Sequence, residues 1–379
     1  DPVGLEGLSE SVSYNMNEGA GDLDSLGFQT AMEDLNMSFG CSMGAEWTSC
    51  SVSSLTANAA EAMALVATAF AEPRFDEGPY QRFIREEEVG LKTRETSASY
   101  LAWRATSQAL YPDHPLARET SAESLASLTP DLARQQMRTL MTKDRLIVTA
   151  VGAVSAEELA PLIDGIAAGL PDTGAVAGVE PIALPDAAPL ATPAVVQLQQ
   201  PQSLVRFVGP GIDRASPDFF PAYVLNYTFG GGGFESRLMK VLRVEKGLTY
   251  GVSSSVDPNP TYLTWSGGGQ TKNESAGEFV TELKAQMTKL IEGGVTEQEL
   301  SDAKAYLIGS YPLGFDSNAK IAANLMGLRQ DNLPVDYFDT RNGKIDAVTL
   351  EDVNRVAAAY LAPERFNFVV VGEPQGLAE

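Results

Sequence analysis

The stretch GLSESVSYNMNEG, Gly7 to Gly19, has the spacing of a short helix, yet its inner positions carry carboxylate, hydroxyl and amide groups where aliphatic side chains are expected. Polar groups on one helix face could serve a metal. A catalytic zinc needs three protein ligands drawn from His, Cys, Asp and Glu, and the chain has a single histidine, His114, in YPDHPLAR. That residue lies far along the chain from the helix and reads as a hydrogen-bonding loop residue. Glu10 with Glu86, Glu87 and Glu88 could form a weak cation site or a solvated acidic helix face. The glycine run Gly230 to Gly233 precedes a helix, as phosphate-cradling loops do, but no Lys-Ser/Thr follows it. It reads as a flexible turn that lets FESRLMKVLR begin a helix, with Ser236 near the first turn.

The elements that must carry these residues repeat. LTPDLARQQMRTLMTKDRLIVTAVG, from Leu128, aligns without a gap on VTLEDVNRVAAAYLAPERFNFVVVG, from Val348. Thr129 and Thr349 stand as N-caps, Asp131 and Glu351 follow in the first turn, and Asp144-Arg145 and Glu364-Arg365 each precede an apolar strand. The same offset of 220 positions brings RFDEGPYQRFIREEEVG near GVTEQELSDAKAYLIGS. A chain with several such matches in one order is a duplication. The sequence predicts an α+β fold of two similar domains, 1–170 and 196–379, each a mostly antiparallel sheet packed against helices. An Ala/Pro-rich linker, 171–195, joins them.

Composition limits the function. Lys and Arg number 27 against 50 Asp and Glu, a formal charge of −23, which opposes a nucleic-acid or anionic-membrane surface. There is no apolar run long enough to span a membrane and no basic, then apolar, leader, so any targeting segment is expected to lie before Asp1. Cys41 and Cys50 fall in FGCSMGAEWTSC. If Ala45 and Glu46 turn a hairpin, the two cysteines face each other, and either a disulfide suited to an oxidising compartment or two free thiols would result.

GLSESVSYNMNEG, the hairpin, YPDHPLARETSAESLASLT, RLIVTAVGAVSAEEL and above all FGGGGFESRLMKVLRVEKGLTYGVSSS resemble the M16 family of zinc peptidases, the inverzincins. In that family an inverted H-x-x-E-H helix and a Glu some 75 residues later hold zinc, and the motif Glu is the general base. Laid on this sequence, the resemblance puts Glu10 at the first His, Ser13 at the base, Tyr14 at the second His and Gly90 at the distant Glu. All four positions depart from the pattern, so the resemblance implies a degenerate metal site in this chain.

The family's second half carries an Arg and, seven residues on, a Tyr that reach across to a zinc domain. Here these are Arg243 and Tyr250. Arg offers a fork of donors to peptide carbonyls, and a Tyr hydroxyl can stabilise an oxyanion. The bland alternative is an Arg243 ion pair with Glu245 or Asp257 and a packed Tyr250 ring. The resemblance therefore implies a noncatalytic subunit that lends Arg243 and Tyr250 to a partner with an intact H-x-x-E-H motif and its zinc, acts on unfolded peptides and resides in the bacterial periplasm. The alternative is a structural or peptide-binding scaffold with no role in hydrolysis. The family also implies two strands ahead of the segment at Asp1-Pro2, matching VVQLQQPQSLVRFVGPGI of the second copy, so the first sheet is expected to be short of strands.

Overall fold

Thr129 and Thr349 cap the helices that follow them, each hydroxyl accepting the backbone N–H three residues on, from Leu132 at 3.3 Å and from Asp352 at 3.1 Å. The helices span Pro130–Leu140 and Leu350–Tyr360, and each leads into a short 3-10 turn, Lys143–Arg145 or Pro363–Arg365. The repeat therefore holds residue for residue through helix and turn.

The computed structural model describes residues 1–175, 181–182, 190, 193–259 and 261–377, and most of the linker expected over 171–195 lies outside them. Along the chain come α1 (Leu8–Asn15), α2 (Ser25–Asp34), β1 (Ser38–Met43), β2 (Thr48–Ser53), α3 (Ala59–Ala71), α4 (Glu77–Arg94), α5 (Ala98–Leu110), α6 (Ala122–Ser127), α7 (Pro130–Leu140) and α8 (Ala156–Ala168). There follow β3 (Ala194–Gln197), β4 (Gln202–Pro210), α9 (Phe219–Asn226), β5 (Thr249–Asp257), β6 (Thr264–Lys272), α10 (Ala276–Gly293), α11 (Glu297–Gly309), α12 (Asn318–Gln330), α13 (Tyr337–Asp346), α14 (Leu350–Tyr360) and β7 (Asn367–Gly372).

Two compact units result, one of residues 1–93 and 118–178, the other of 94–117 and 179–379. Space thus divides the chain differently from the contiguous halves read in the sequence. The segment carrying α5 belongs to the second unit, where Leu101 and Ala102 pack with Val369 and Val371 of β7. An apolar helix face goes where apolar strand surface is available to cover.

In the first unit β1 and β2 pair antiparallel with Cys41 opposite Cys50, and the two cysteines form a disulfide. Phe39 of β1 turns inward onto Phe28 and Phe70, and the core continues through Phe75, Tyr80 and Phe83. The strand expected over 146–151 does not form: these residues lie outside any ladder. Its repeat counterpart, β7, is held between β3 and β4, whereas residues 146–151 have no ladder neighbour among the described residues. Without neighbours to take its N–H and C=O groups, an isolated segment gains nothing from extending into a strand.

The second unit carries a five-stranded sheet in the order β3-β7-β4-β6-β5. Only β3 and β7 run parallel; the other pairs are antiparallel. β7 is buried at every position, as expected of a strand with neighbours on both edges and cover on both faces. Phe207 of β4 is fully buried among Phe229, Phe366 and Phe368, and helices α9, α10, α11, α13 and α14 close this side.

Arg237 fixes the start of α11 to the turn that leads toward Arg243, bonding Glu299 through two 2.7 Å contacts and the Gly294 carbonyl at 2.8 Å. Burial raises the Glu299 carboxyl, but the Arg237 guanidinium and the Thr296 backbone N–H outweigh it and hold the group at about 2. Because folding lowers this value, ionised Glu299 contributes stability above the ordinary 4.5, and the contribution drains away as pH falls toward about 2. Thermal unfolding followed down that range should show a steeper acid loss for the native sequence than for Glu299→Gln; equal slopes would contradict this assignment.

Candidate functional site

The polar helix α1 is buried around most of its circumference, and Ser9, Ser11, Ser13 and Asn15 are among the buried positions. Its side chains satisfy themselves locally: Ser11 Oγ donates to Leu8 O at 2.6 Å, Ser13 Oγ to Ser9 O at 3.3 Å, and Asn15 Nδ2 to Ser11 O at 2.8 Å. Tyr80 of α4 adds its hydroxyl to Ser11 Oγ at 3.2 Å. Asn15 Oδ1 alone in this group is buried without a partner among the described residues.

At the positions equivalent to metal ligands the chemistry is of another kind. Glu10 is exposed and Gly90 has no side chain to offer. Tyr14 donates its hydroxyl to Glu86 at 2.9 Å and accepts Arg82 Nε at 3.1 Å, while Arg82 reaches Glu18 at 2.6 Å. Burial raises the Tyr14 phenol above its ordinary value against the opposing pull of Arg82. The Glu18 carboxylate, and then the Tyr14 hydroxyl, raise Arg82 further. A guanidinium therefore sits beside the position of the family's second His, and a cation there repels a metal ion. The residues present do not fit zinc. Among the described residues no cluster of three His, Cys, Asp or Glu could hold a metal ion. Glu86, one member of the acidic run, is engaged with Tyr14. His114 Nδ1 accepts the Leu116 N–H at 3.1 Å and packs edge-on to Tyr111, a loop-bracing role.

The second unit brings Arg243 and Tyr250 together. The chain leaves α9 through a wide turn over Tyr227–Gly231, closed by Gly232 N to Tyr227 O at 2.8 Å, and a second such turn spans Met239–Glu245. A flexible glycine turn was expected here, but the packing is tight: a Cβ on Gly230 would stand 2.5 Å from Ser254 Oγ and 2.8 Å from Ser254 N. Gly233, at φ +56°, makes the left-handed step that follows. Ser236 is fully buried and donates to Gly233 O at 2.7 Å, which fits a structural turn and leaves nothing for a phosphate.

Leu238, Met239 and Leu242 face the core, which turns Arg243 outward. Its Nη1 donates to the Tyr250 carbonyl at 2.6 Å and its guanidinium lies 4.3 Å over the Phe234 ring. Neither Glu245 nor Asp257 pairs with it among the described residues. Tyr250 sits in β5, the edge strand, where the pairing with β6 slips between Thr249 and Val252. A bulge at a sheet edge re-aims a side chain, and here Tyr250 is 85% exposed. Its ring does not pack. The Thr249 hydroxyl steadies the bulge, donating to Gln270 O at 2.6 Å and accepting the Gly251 N–H at 3.0 Å. Thr249, Tyr250, Gly251 and Gln270 line a shallow cleft of about 280 Å³.

Behind this edge lies a buried hub. Asn226 at the end of α9 donates to Ser254 O at 3.1 Å and accepts both Ser254 Oγ at 2.7 Å and the fully buried Trp265 Nε1 at 3.1 Å. Sequence reasoning missed Asn226, Phe234 and Arg82, and none of them carries a spacing signal: Arg82 meets Tyr14 and Glu18, both far along the chain from it.

Residues 127–307 match the family description "peptidase M16 inactive domain". The non-peptidase homologue YmxG of Helicobacter pylori is 25% identical over 368 residues, which is 96% of this chain and 84% of that protein. Among solved structures, the peptidase M16 inactive domain from Pseudomonas fluorescens has a TM-score of 0.89 at 25% identity, over 99% of this chain and 90% of that one. The periplasmic protease PqqL from Escherichia coli shares the fold, with a TM-score of 0.78 at 18% identity, over 98% of this chain and 41% of that one.

If Arg82 stands in for the metal's charge, restoring ligands alone will not restore tight binding. The triple variant Glu10→His, Tyr14→His, Gly90→Glu should bind zinc roughly tenfold more tightly once Arg82→Ala is added, the effect of removing about 1.4 kcal/mol of like-charge repulsion. Chelator competition reads this directly, and equal affinities would overturn it. Sequence match and fold agree: residues 127–307 match the peptidase M16 inactive domain, and the chain as a whole is similar to a non-peptidase homologue and to a solved inactive domain of that family.

Proposed function

We propose that this chain is the noncatalytic subunit of a heterodimeric M16 zinc peptidase. The partner would carry the intact H-x-x-E-H motif and the zinc, and this chain would contribute Arg243 and Tyr250. In this reading residues 1–170 and 196–379 are the two copies of the domain, and the chain helps to wall a chamber for unfolded peptides.

The observation that carries the proposal is the state of the pair. Arg243 is held by the Tyr250 carbonyl and the Phe234 ring, and Tyr250 stands almost fully exposed with no hydrogen-bond partner for its hydroxyl among the described residues. A tyrosine that neither packs nor bonds gives the fold nothing, and a donor held out from a sheet edge suits a developing oxyanion on a neighbouring chain. Arg243 keeps donors free for peptide carbonyls. An extended substrate read through its backbone on the partner's sheet edge fits such contacts, and the acidic balance favours basic peptides.

The Cys41–Cys50 disulfide and the likeness to a protease described as periplasmic support a periplasmic location. No helix among the described residues is long and apolar enough to cross a membrane.

The discriminating experiment is Tyr250→Phe in the assembled complex. Loss of an oxyanion donor should lower turnover about a hundredfold while leaving assembly intact. Unchanged turnover would remove this role and leave a structural or peptide-binding scaffold.

A further inference from the structure

The second unit holds another cleft, of about 350 Å³, among α9, α12, α13 and the turn at Tyr311; its walls include Phe219, Phe220, Tyr223, Tyr311, Tyr337 and Phe338. It also touches Val256 and Pro258, so it lies six residues or more along β5 from Tyr250, about 20 Å at the rise of a strand. The cleft is aromatic, small and cationic. Arg341 is 8% exposed, and its guanidinium donates to Leu307 O at 3.2 Å, Asn342 Oδ1 at 2.9 Å and Tyr223 OH at 3.3 Å. It lies 4.1 Å over the Tyr311 ring and 5.5 Å over the Tyr223 ring. Every one of these partners is neutral, and among the described residues no carboxylate pairs with it.

Two more cations are near. Lys344 places its ammonium 5.5 Å from the Tyr337 ring and 5.8 Å from the Phe220 ring. Arg214 lies 5.0 Å over Phe219, bonds Tyr337 OH at 3.3 Å, and leaves a buried Nε without a partner among the described residues. Asp331 is the one carboxylate among the lining residues, and it is bound to Arg214 at 2.9 Å. Among the lining residues two cations, Arg341 and Arg214, stand against one anion, a local positive excess in a chain of charge −23. A guanidinium stays charged at any ordinary pH, and one buried without a counter-ion is costly. An anion entering the cleft would offset that cost.

We propose that this cleft binds an apolar or aromatic ligand through its carboxylate. Arg341 supplies the planar fork that matches a carboxylate, Lys344 adds long-range attraction, and the ring walls take the ligand's body. The volume suits roughly one large side chain with its terminal group. The ligand is thus either a free apolar carboxylic acid or the last residue of a peptide with a free C terminus.

Calorimetric titration of the full chain with N-acetyl-phenylalanine and with its amide tests the shared chemistry. The acid should bind at least about tenfold more tightly than the amide, and the advantage should shrink with salt. Arg341→Gln should remove the preference, and Lys344→Ala should reduce it by a few fold. If Arg341→Gln fails to fold, the acid-to-amide ratio of the unsubstituted chain still decides. A short peptide ending in Phe, with free or amidated C terminus, separates the sources: binding of the free-ended peptide as well as the acid points to peptide C termini, and binding of the acid alone points to small carboxylates. Equal affinity for acid and amide, or no binding of either, would overturn the proposal.

Discussion

The contact on which the functional edge depends is the buried hydrogen-bond hub at Asn226. One side chain holds the backbone and the hydroxyl of Ser254 and the indole of Trp265, and so ties the end of α9 to β5 and β6. Inside the core these bonds exclude water, and removing the amide would leave three polar groups unsatisfied at once. The glycine turn closes against the same strand, where Ser254 leaves no room for a Cβ at Gly230. With β5 fixed there, its far end is free to bulge, and the bulge presents Tyr250 while Arg243 meets it from the adjoining turn. Rigid core, open edge and exposed pair follow one from another.

The first unit shows the opposite exchange. A Tyr14–Arg82–Glu18–Glu86 network links α1 and α4, where the resemblance would place a metal. The helix accommodates its buried polar side chains by bonding them to its own carbonyls. The polar turn near the chain start is therefore packed and satisfied without a ligand, apart from Asn15 Oδ1.

Much of this was legible in the sequence because it rests on local rules. Caps at Thr129 and Thr349, the repeat of helix and turn, and the register that sets Cys41 opposite Cys50 are consequences of spacing. That Glu10, Ser13, Tyr14 and Gly90 depart from the pattern the resemblance implies is a matter of residue type. What was not legible depends on neighbours distant in sequence. Leu146 to Val151 carries strand composition but lacks strands to pair with, α5 packs on β7 more than 250 residues away, and the glycine run is dictated by Ser254. Arg82 acts on Tyr14 across 68 positions, a relation that no periodicity carries.

The central claim is that this chain works by completing another chain's zinc site. The most direct measurement is purification of the tagged chain from its native cells, followed by an assay of the eluate for chelator-sensitive cleavage of a labelled peptide beside the recombinant chain alone. The account predicts cleavage in the eluate only, together with a co-purifying chain that carries an intact H-x-x-E-H motif. An eluate without such a chain and without cleavage would contradict it.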